Sequence, residues 1–165
     1  MSQLSAMAAS VGERLKATGA SIGVSESSCG GLISAALVAV PGASAYYLGG
    51  GVIYTAASRQ GLLAIGPQAM EGLRASTEPY ALLNARTIRQ TLGATWGLAE
   101  TGASGPTGNR YGDAAGHACI AVAGPVTRVI TLETGGTDRE GNMWAFARAA
   151  LDLLLECVSS ENNSD

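Results

Sequence analysis

Residues 20–42 read Ala-Ser-Ile-Gly-Val-Ser-Glu-Ser-Ser-Cys-Gly-Gly-Leu-Ile-Ser-Ala-Ala-Leu-Val-Ala-Val-Pro-Gly, and this stretch decides the fold. Residues 20–25 are small and apolar, as a short buried strand requires, and the turn 26–31 follows without a spacer. The apolar run 32–40 then makes a buried helix, stopped where Pro41 cannot continue it and Gly42 accepts a left-handed cap. Strand, tight turn and helix in that order open an α/β unit, whose ligand edge lies at the carboxyl ends of the strands.

Toward the N-terminus, Leu4, Met7, Ala8, Val11 and Leu15 recur at helical steps, with Gly19 as terminator. Toward the C-terminus, 45–54 forms a strand bent at Gly49, Gly50 and Gly51, where a backbone or a ligand can come close. A helix over 55–63 carries Arg59, and Gly66-Pro67 turns the chain. A further helix opens at 76–79, with Pro79 tolerated in its first turn, and runs to Leu92. Residues 96–101 are the third strand, 102–108 a glycine-rich loop, and loop character continues to Asp113. Runs 117–123 and 126–133, joined across Gly124-Pro125, suit a β-hairpin, and a final helix begins near Arg139. In that helix Trp144, Ala147, Leu151, Leu154 and Leu155 fall at core spacing before a polar, frayed tail at 159–165. The expectation is one domain over 1–158 of the α/β class: a three-layer α/β/α sandwich on a mixed, mostly parallel five-stranded sheet that includes a C-terminal β-hairpin.

Composition supports a packed core, since 47% of the residues are apolar and only 14% charged, too little charge for a disordered chain. A net charge of −3 with no basic stripe argues against nucleic acid as a partner. Cys29, Cys119 and Cys157 lack the spacing of a zinc site or a disulfide framework, so neither a metal nor an oxidising compartment is expected. Residues 1–19 lack the pattern of a signal peptide, and no run is long and apolar enough to span a bilayer. A cytoplasmic protein without a membrane partner is expected.

Three constellations could carry chemistry. Glu26-Ser27-Ser28-Cys29-Gly30-Gly31 joins a strand to a helix, where exposed amides attract anions and a serine could act as nucleophile. The same serines could equally be plain N-caps. Cys29 at the helix start is an alternative nucleophile, its thiol pKa lowered by that position. The segment 101–108, Thr-Gly-Ala-Ser-Gly-Pro-Thr-Gly, could cradle a phosphate or be an ordinary loop, and it matches neither the P-loop nor the dinucleotide fingerprint. Tyr54 with Arg59 could bind phosphate or orient a nucleophile, or be a rim tyrosine and a solvated arginine. His117, the only histidine, lies in an apolar run without an acid at readable spacing, and is taken as structural.

Together these motifs resemble the CinA C-terminal (competence/damage-inducible protein) family of nicotinamide-nucleotide amidases, of which the chain looks like a stand-alone, divergent member. The family's Ala-Glu-Ser-Cys-Thr-Gly-Gly appears as residues 25–31, followed by the similar Pro41-Gly42-Ala43-Ser44. Its Val-Thr-Tyr-Ser-Asn appears as 52–56, its Thr-Gly-Ile-Ala-Gly-Pro-Asp-Gly as 101–108, and its Gly-Asp-Arg as 137–139. The resemblance implies hydrolysis of the carboxamide of nicotinamide mononucleotide to the acid and ammonia, with no cofactor and no metal, in a homo-oligomer. It assigns Ser27 as nucleophile, supported by Tyr54 and Arg59. Glu26, Ser28, Cys29, Gly30, Gly31, Thr101, Gly102, Ser104, Gly105, Gly108 and Arg139 are assigned to the substrate, with the amides near Gly30 and Gly31 holding the oxyanion. Here Arg59 stands where the family has a lysine, and a guanidinium that stays charged cannot serve as a general base. Cys29 replaces a threonine, and 113–116 lacks the Lys-Pro-Val-Gly before the fourth strand, losing a second cation. A nucleotide- or anion-binding protein without turnover is therefore the second expectation.

Overall fold

The computed structural model describes residues 2–160; the expected frayed tail falls outside them beyond Ser160, whereas Ser159 and Ser160 are helical. In chain order the elements are α1 (Ser2–Thr18), β1 (Ile22–Glu26), α2 (Leu32–Val38), β2 (Tyr47–Val52), α3 (Ala56–Leu63), α4 (Glu78–Leu92), β3 (Trp96–Ala103), β4 (His117–Ala123), β5 (Arg128–Glu133) and α5 (Arg139–Ser160). Short 3-10 turns at Ala43–Ala45 and Pro67–Met70 complete it.

The sheet order is β2-β1-β3-β4-β5. β1 pairs in parallel with β2 and β3, while β4 runs antiparallel to both β3 and β5. Four strands therefore point one way and β4 alone is reversed. Helices α1, α2 and α5 pack on one face, α4 with α3 on the other, which gives the three-layer sandwich. The alternation of β4 divides the core accordingly. Ala118, Ile120 and Val122 join Trp96, Leu98 and Phe146 in the larger cluster, whereas Cys119, Ala121 and Ala123 face Ala81 and Ala85 of α4.

The glycines of β2 allow close strand packing. A Cβ at Gly50 would stand 2.6 Å from the Val24 carbonyl oxygen and 2.8 Å from Tyr47 Oη. Thr55 begins α3 as a capping box with Ser58, and Thr77 begins α4 by accepting the Tyr80 N–H. β3 runs on to Ala103, so the expected loop over 102–108 begins only at Ser104. β1 lies between β2 and β3, both reached after it, so a crevice opens where the chain moves to β2 on one side of β1 and then to β3 on the other.

Candidate functional site

A cleft of about 610 Å³ fills that crevice at the carboxyl ends of β1, β2 and β3. The turn after β1 supplies Ser27 and Ser28, the end of β2 and start of α3 supply Tyr54 and Arg59, and β3 with its loop supplies Thr101, Gly102, Ser104, Gly105 and Gly108. Arg139 enters from the start of α5. Ten of the expected site residues thus meet around one cavity. Arg59, Arg110 and Arg139 are the charged residues of the lining, which contains no Asp or Glu. A chain of net negative charge thereby presents a locally cationic cleft.

Cations are held there in different ways. Arg139 donates to the Gly105 carbonyl at 2.5 Å and to Tyr54 Oη at 2.9 Å, so the expected Tyr54–Arg59 pair is replaced by Tyr54–Arg139. Arg59 Nε is buried without a hydrogen-bond partner, a donor that an entering anion would satisfy. Arg110 donates to Tyr111 Oη, and its guanidinium and that of Arg74 each lie 5.1 Å from the Tyr111 ring centroid. Arg74 also grips Asp113 with two bonds, of 2.7 and 3.1 Å, and these hold the Asp113 carboxyl down at about 2. Arg110 enters the lining from the loop that Asn109 ties to Asp113. Its loop setting carried no periodic or motif signal.

Four expected substrate contacts take other roles. Glu26 is 1% exposed, and its carboxylate accepts the N–H groups of Gly31, Ile33 and Ser34 at 3.2, 2.9 and 2.9 Å, which caps α2. Neither Ser27 nor Ser28 is that cap; the N-cap position is Gly31, in a left-handed conformation. The Gly30 N–H is spent on the Ser27 carbonyl and the Gly31 N–H on Glu26, so these amides do not form the expected oxyanion hole. Cys29 is fully buried and does not line the cleft. Burial, with the nearby charges of Glu100 and Glu26, raises its pKa well above the ordinary thiol value, the reverse of the lowering expected from a helix start.

A second residue that sequence reasoning missed is Glu100. It sits on the Trp96 and Leu98 face of β3, 1% exposed, beneath the 27–29 turn. Its Oε2 accepts the N–H groups of Ser27 and Cys29 at 3.0 and 2.9 Å, and its Oε1 accepts the Ser28 hydroxyl. Burial raises its pKa against the opposing pull of the Ser28 hydroxyl and the two amides. A lone carboxylate inside an apolar strand was the available signal, because a buried charge must be bonded to something. Elsewhere Ser104 donates to the Ser28 carbonyl at 3.2 Å, and Asn142 Nδ2 donates to the Ser104 carbonyl at 2.7 Å, tying the turn to the loop and the loop to α5.

His117 is 8% exposed and lies outside the cleft lining. The hairpin register sets it opposite Glu133, which bonds its Nδ1, while Nε2 meets the Ser76 carbonyl at 2.8 Å. The acid partner absent from the linear spacing is thus supplied across the sheet. Burial pulls its pKa down, but the bonds to Glu133 and the Ser76 carbonyl and the charges of Asp113 and Glu133 prevail and raise it. Among the described residues no group of side chains could hold a metal ion, and no helix is long and apolar enough to cross a membrane.

Comparison with known proteins agrees with this architecture. The chain is 39% identical over 141 residues to a CinA-like protein of Gloeobacter violaceus, covering 83% of this chain and 33% of that protein. It is 39% identical over 152 residues to a CinA-like protein of Desulfosudis oleivorans, covering 90% and 36%. The chain therefore spans about a third of the length of these curated relatives. A CinA superfamily protein from Escherichia coli superposes with a TM-score of 0.87 at 26% identity, covering 93% of this chain and 90% of that one. A competence/damage-inducible protein from Agrobacterium tumefaciens superposes with 0.86 at 25%, covering 93% and 94%. The model of the CinA C-terminal domain family matches residues 4–158, and the chain belongs to that family.

Proposed function

We propose that the cleft binds a phosphate-bearing pyridine nucleotide and hydrolyses its carboxamide, as in the conversion of nicotinamide mononucleotide to nicotinate mononucleotide and ammonia. The observation that carries this reading is the lining itself: Arg59, Arg110 and Arg139 without an acidic side chain, and two serines at one wall. Guanidiniums recognise phosphate through paired N–H donors, and a cavity of this size accommodates a mononucleotide. A hydroxyl of the 27–28 turn adds to the amide carbon, ammonia leaves, and water releases the acid; the family resemblance gives that role to Ser27. With the Gly30 and Gly31 amides engaged, the arginines of the lining are donors for the phosphate and for the charge developing on the carbonyl oxygen.

The test is ammonia release from nicotinamide mononucleotide by the purified protein, with Ser27→Ala and related amides alongside. Release that Ser27→Ala abolishes supports the whole reading. A second reading, binding without turnover, is favoured by one observation: Arg59 cannot accept a proton, and its unpartnered Nε suits a bound anion. Tight nucleotide binding with no ammonia from any amide would establish it.

A further inference from the structure

We propose that Glu100 is the positioning residue for the attacking hydroxyl of Ser27, a role that rests on the acyl-transfer reading above. Ser27 is partly exposed and lines the cleft, and its hydroxyl has no hydrogen-bond partner among the described residues, so the backbone alone aims it. That backbone is pinned on both sides: the Ser27 N–H donates to Glu100 Oε2 at 3.0 Å, and the Ser27 carbonyl accepts the Gly30 N–H at 3.1 Å. Glu100 takes donors from three successive residues, the Ser27 N–H, the Ser28 hydroxyl and the Cys29 N–H at 2.9 Å. The neighbouring carboxylate, Glu26, is committed to Gly31, Ile33 and Ser34 and bonds none of these.

The sheet makes this clamp rigid. The register of β1 with β3 ends at Ser25 opposite Ala99, so Glu100 follows one residue later, where β1 gives way to the turn, and on its other side it lies opposite Ile120 of β4. No cation pairs with Glu100 among the described residues, and a carboxylate buried without a counter-ion is costly. The three bonds offset that cost, and what they fix is the turn that carries Ser27. Glu100 acts through geometry: it is absent from the cleft lining and does not touch the Ser27 hydroxyl. A reacting group displaced by about 1 Å loses on the order of 100-fold in rate, and removing Glu100 releases the Ser27 and Cys29 amides together. Length should therefore matter more than charge. Gln keeps one oxygen for the two amides and turns its NH2 group toward Ser28 Oγ, whereas Asp keeps the charge but ends one methylene short.

The test is the rate at which an alkyl fluorophosphonate labels Ser27, mapped by fragment ions, alongside kcat for ammonia release from nicotinamide mononucleotide and the affinity for that nucleotide by calorimetry. In Glu100→Ala both rates should fall about 100-fold while the affinity holds, because the anion-binding arginines are untouched. Glu100→Gln should recover them to within about 10-fold, and Glu100→Asp should stay slow. An unlabelled Ser27 in the unaltered protein, undiminished rates in Glu100→Ala, an affinity that falls in step with kcat, or Asp outperforming Gln overturns the proposal. Should Glu100→Ala fail to fold, the order of Gln and Asp decides. Labelling of Ser27 that depends on Glu100 without ammonia from the mononucleotide retires the amidase reading and keeps the clamp; ammonia release unaffected by Glu100→Ala does the opposite.

Discussion

Glu26→Ala separates two roles for the same carboxylate, a substrate contact or the cap that holds α2. The side chain accepts three backbone N–H groups, and removing it orphans all of them at once. The Ile33 N–H is buried, so its loss costs about 1–3 kcal/mol, while those of Gly31 and Ser34 are partly reached by water and cost less. The sum is roughly 3–5 kcal/mol, a large share of the stability of an ordinary domain. For a chain of this size that corresponds to a melting temperature lower by roughly 6–20 °C. Urea unfolding followed by far-ultraviolet circular dichroism measures it directly, with an unchanged slope showing that both proteins unfold from comparable states. Glu26→Gln keeps one acceptor oxygen and should lose about half as much. A loss below about 1 kcal/mol in Glu26→Ala, accompanied by weaker nucleotide binding, would refute the capping argument and return Glu26 to the substrate.

Three further changes test other parts of the molecule. Arg139→Ala removes a cation from the cleft and unties Tyr54 from the Gly105 loop, so nicotinamide mononucleotide should bind about 10- to 100-fold more weakly by calorimetry; equal affinity would exclude Arg139 from the anion site. Asp113, lowered from 3.8 to about 2 by Arg74, contributes stability that is complete above the unfolded pKa and is lost as pH falls through about 2. Asp113→Asn should therefore cost about 1–2 kcal/mol at neutral pH, discounted for the partly exposed Arg74, and nothing at the acid end; a pH-independent difference would contradict the linkage. Gly97→Ala would place a Cβ 2.0 Å from the Ala85 carbonyl oxygen, forcing α4 off the sheet at a cost of about 1–3 kcal/mol or more, and an unchanged urea midpoint would show that the helix yields freely.

Some of the site was legible from short-range chemistry. The strand, turn and helix at 20–42, the paired strands around Gly124-Pro125, and the proline-tolerant start of α4 all follow from local periodicity and backbone constraint. Because turns after neighbouring parallel strands emerge at one sheet edge, Ser27, Ser28, Tyr54, Arg59 and the 101–108 segment were legible as one site before any distance was known.

What the linear order could not decide was the partner of each charge. Glu26 and Glu100 both lie buried in β-strands, yet one caps a helix five to eight residues on and the other clamps a turn more than seventy residues away. Cys29 stands near a helix start, but the two carboxylates and complete burial reverse the sign of its pKa shift. Tyr54 faces Arg139 across 85 residues of chain, not its neighbour Arg59. The sequence by itself determined the elements and the edge of the sheet at which they converge, since these depend on local backbone chemistry. Tertiary structure alone decided which amides stay free, which carboxylate meets which hydroxyl, and where a cation lies unpaired, because hydrogen bonding and desolvation depend on what packing brings within about 3 Å.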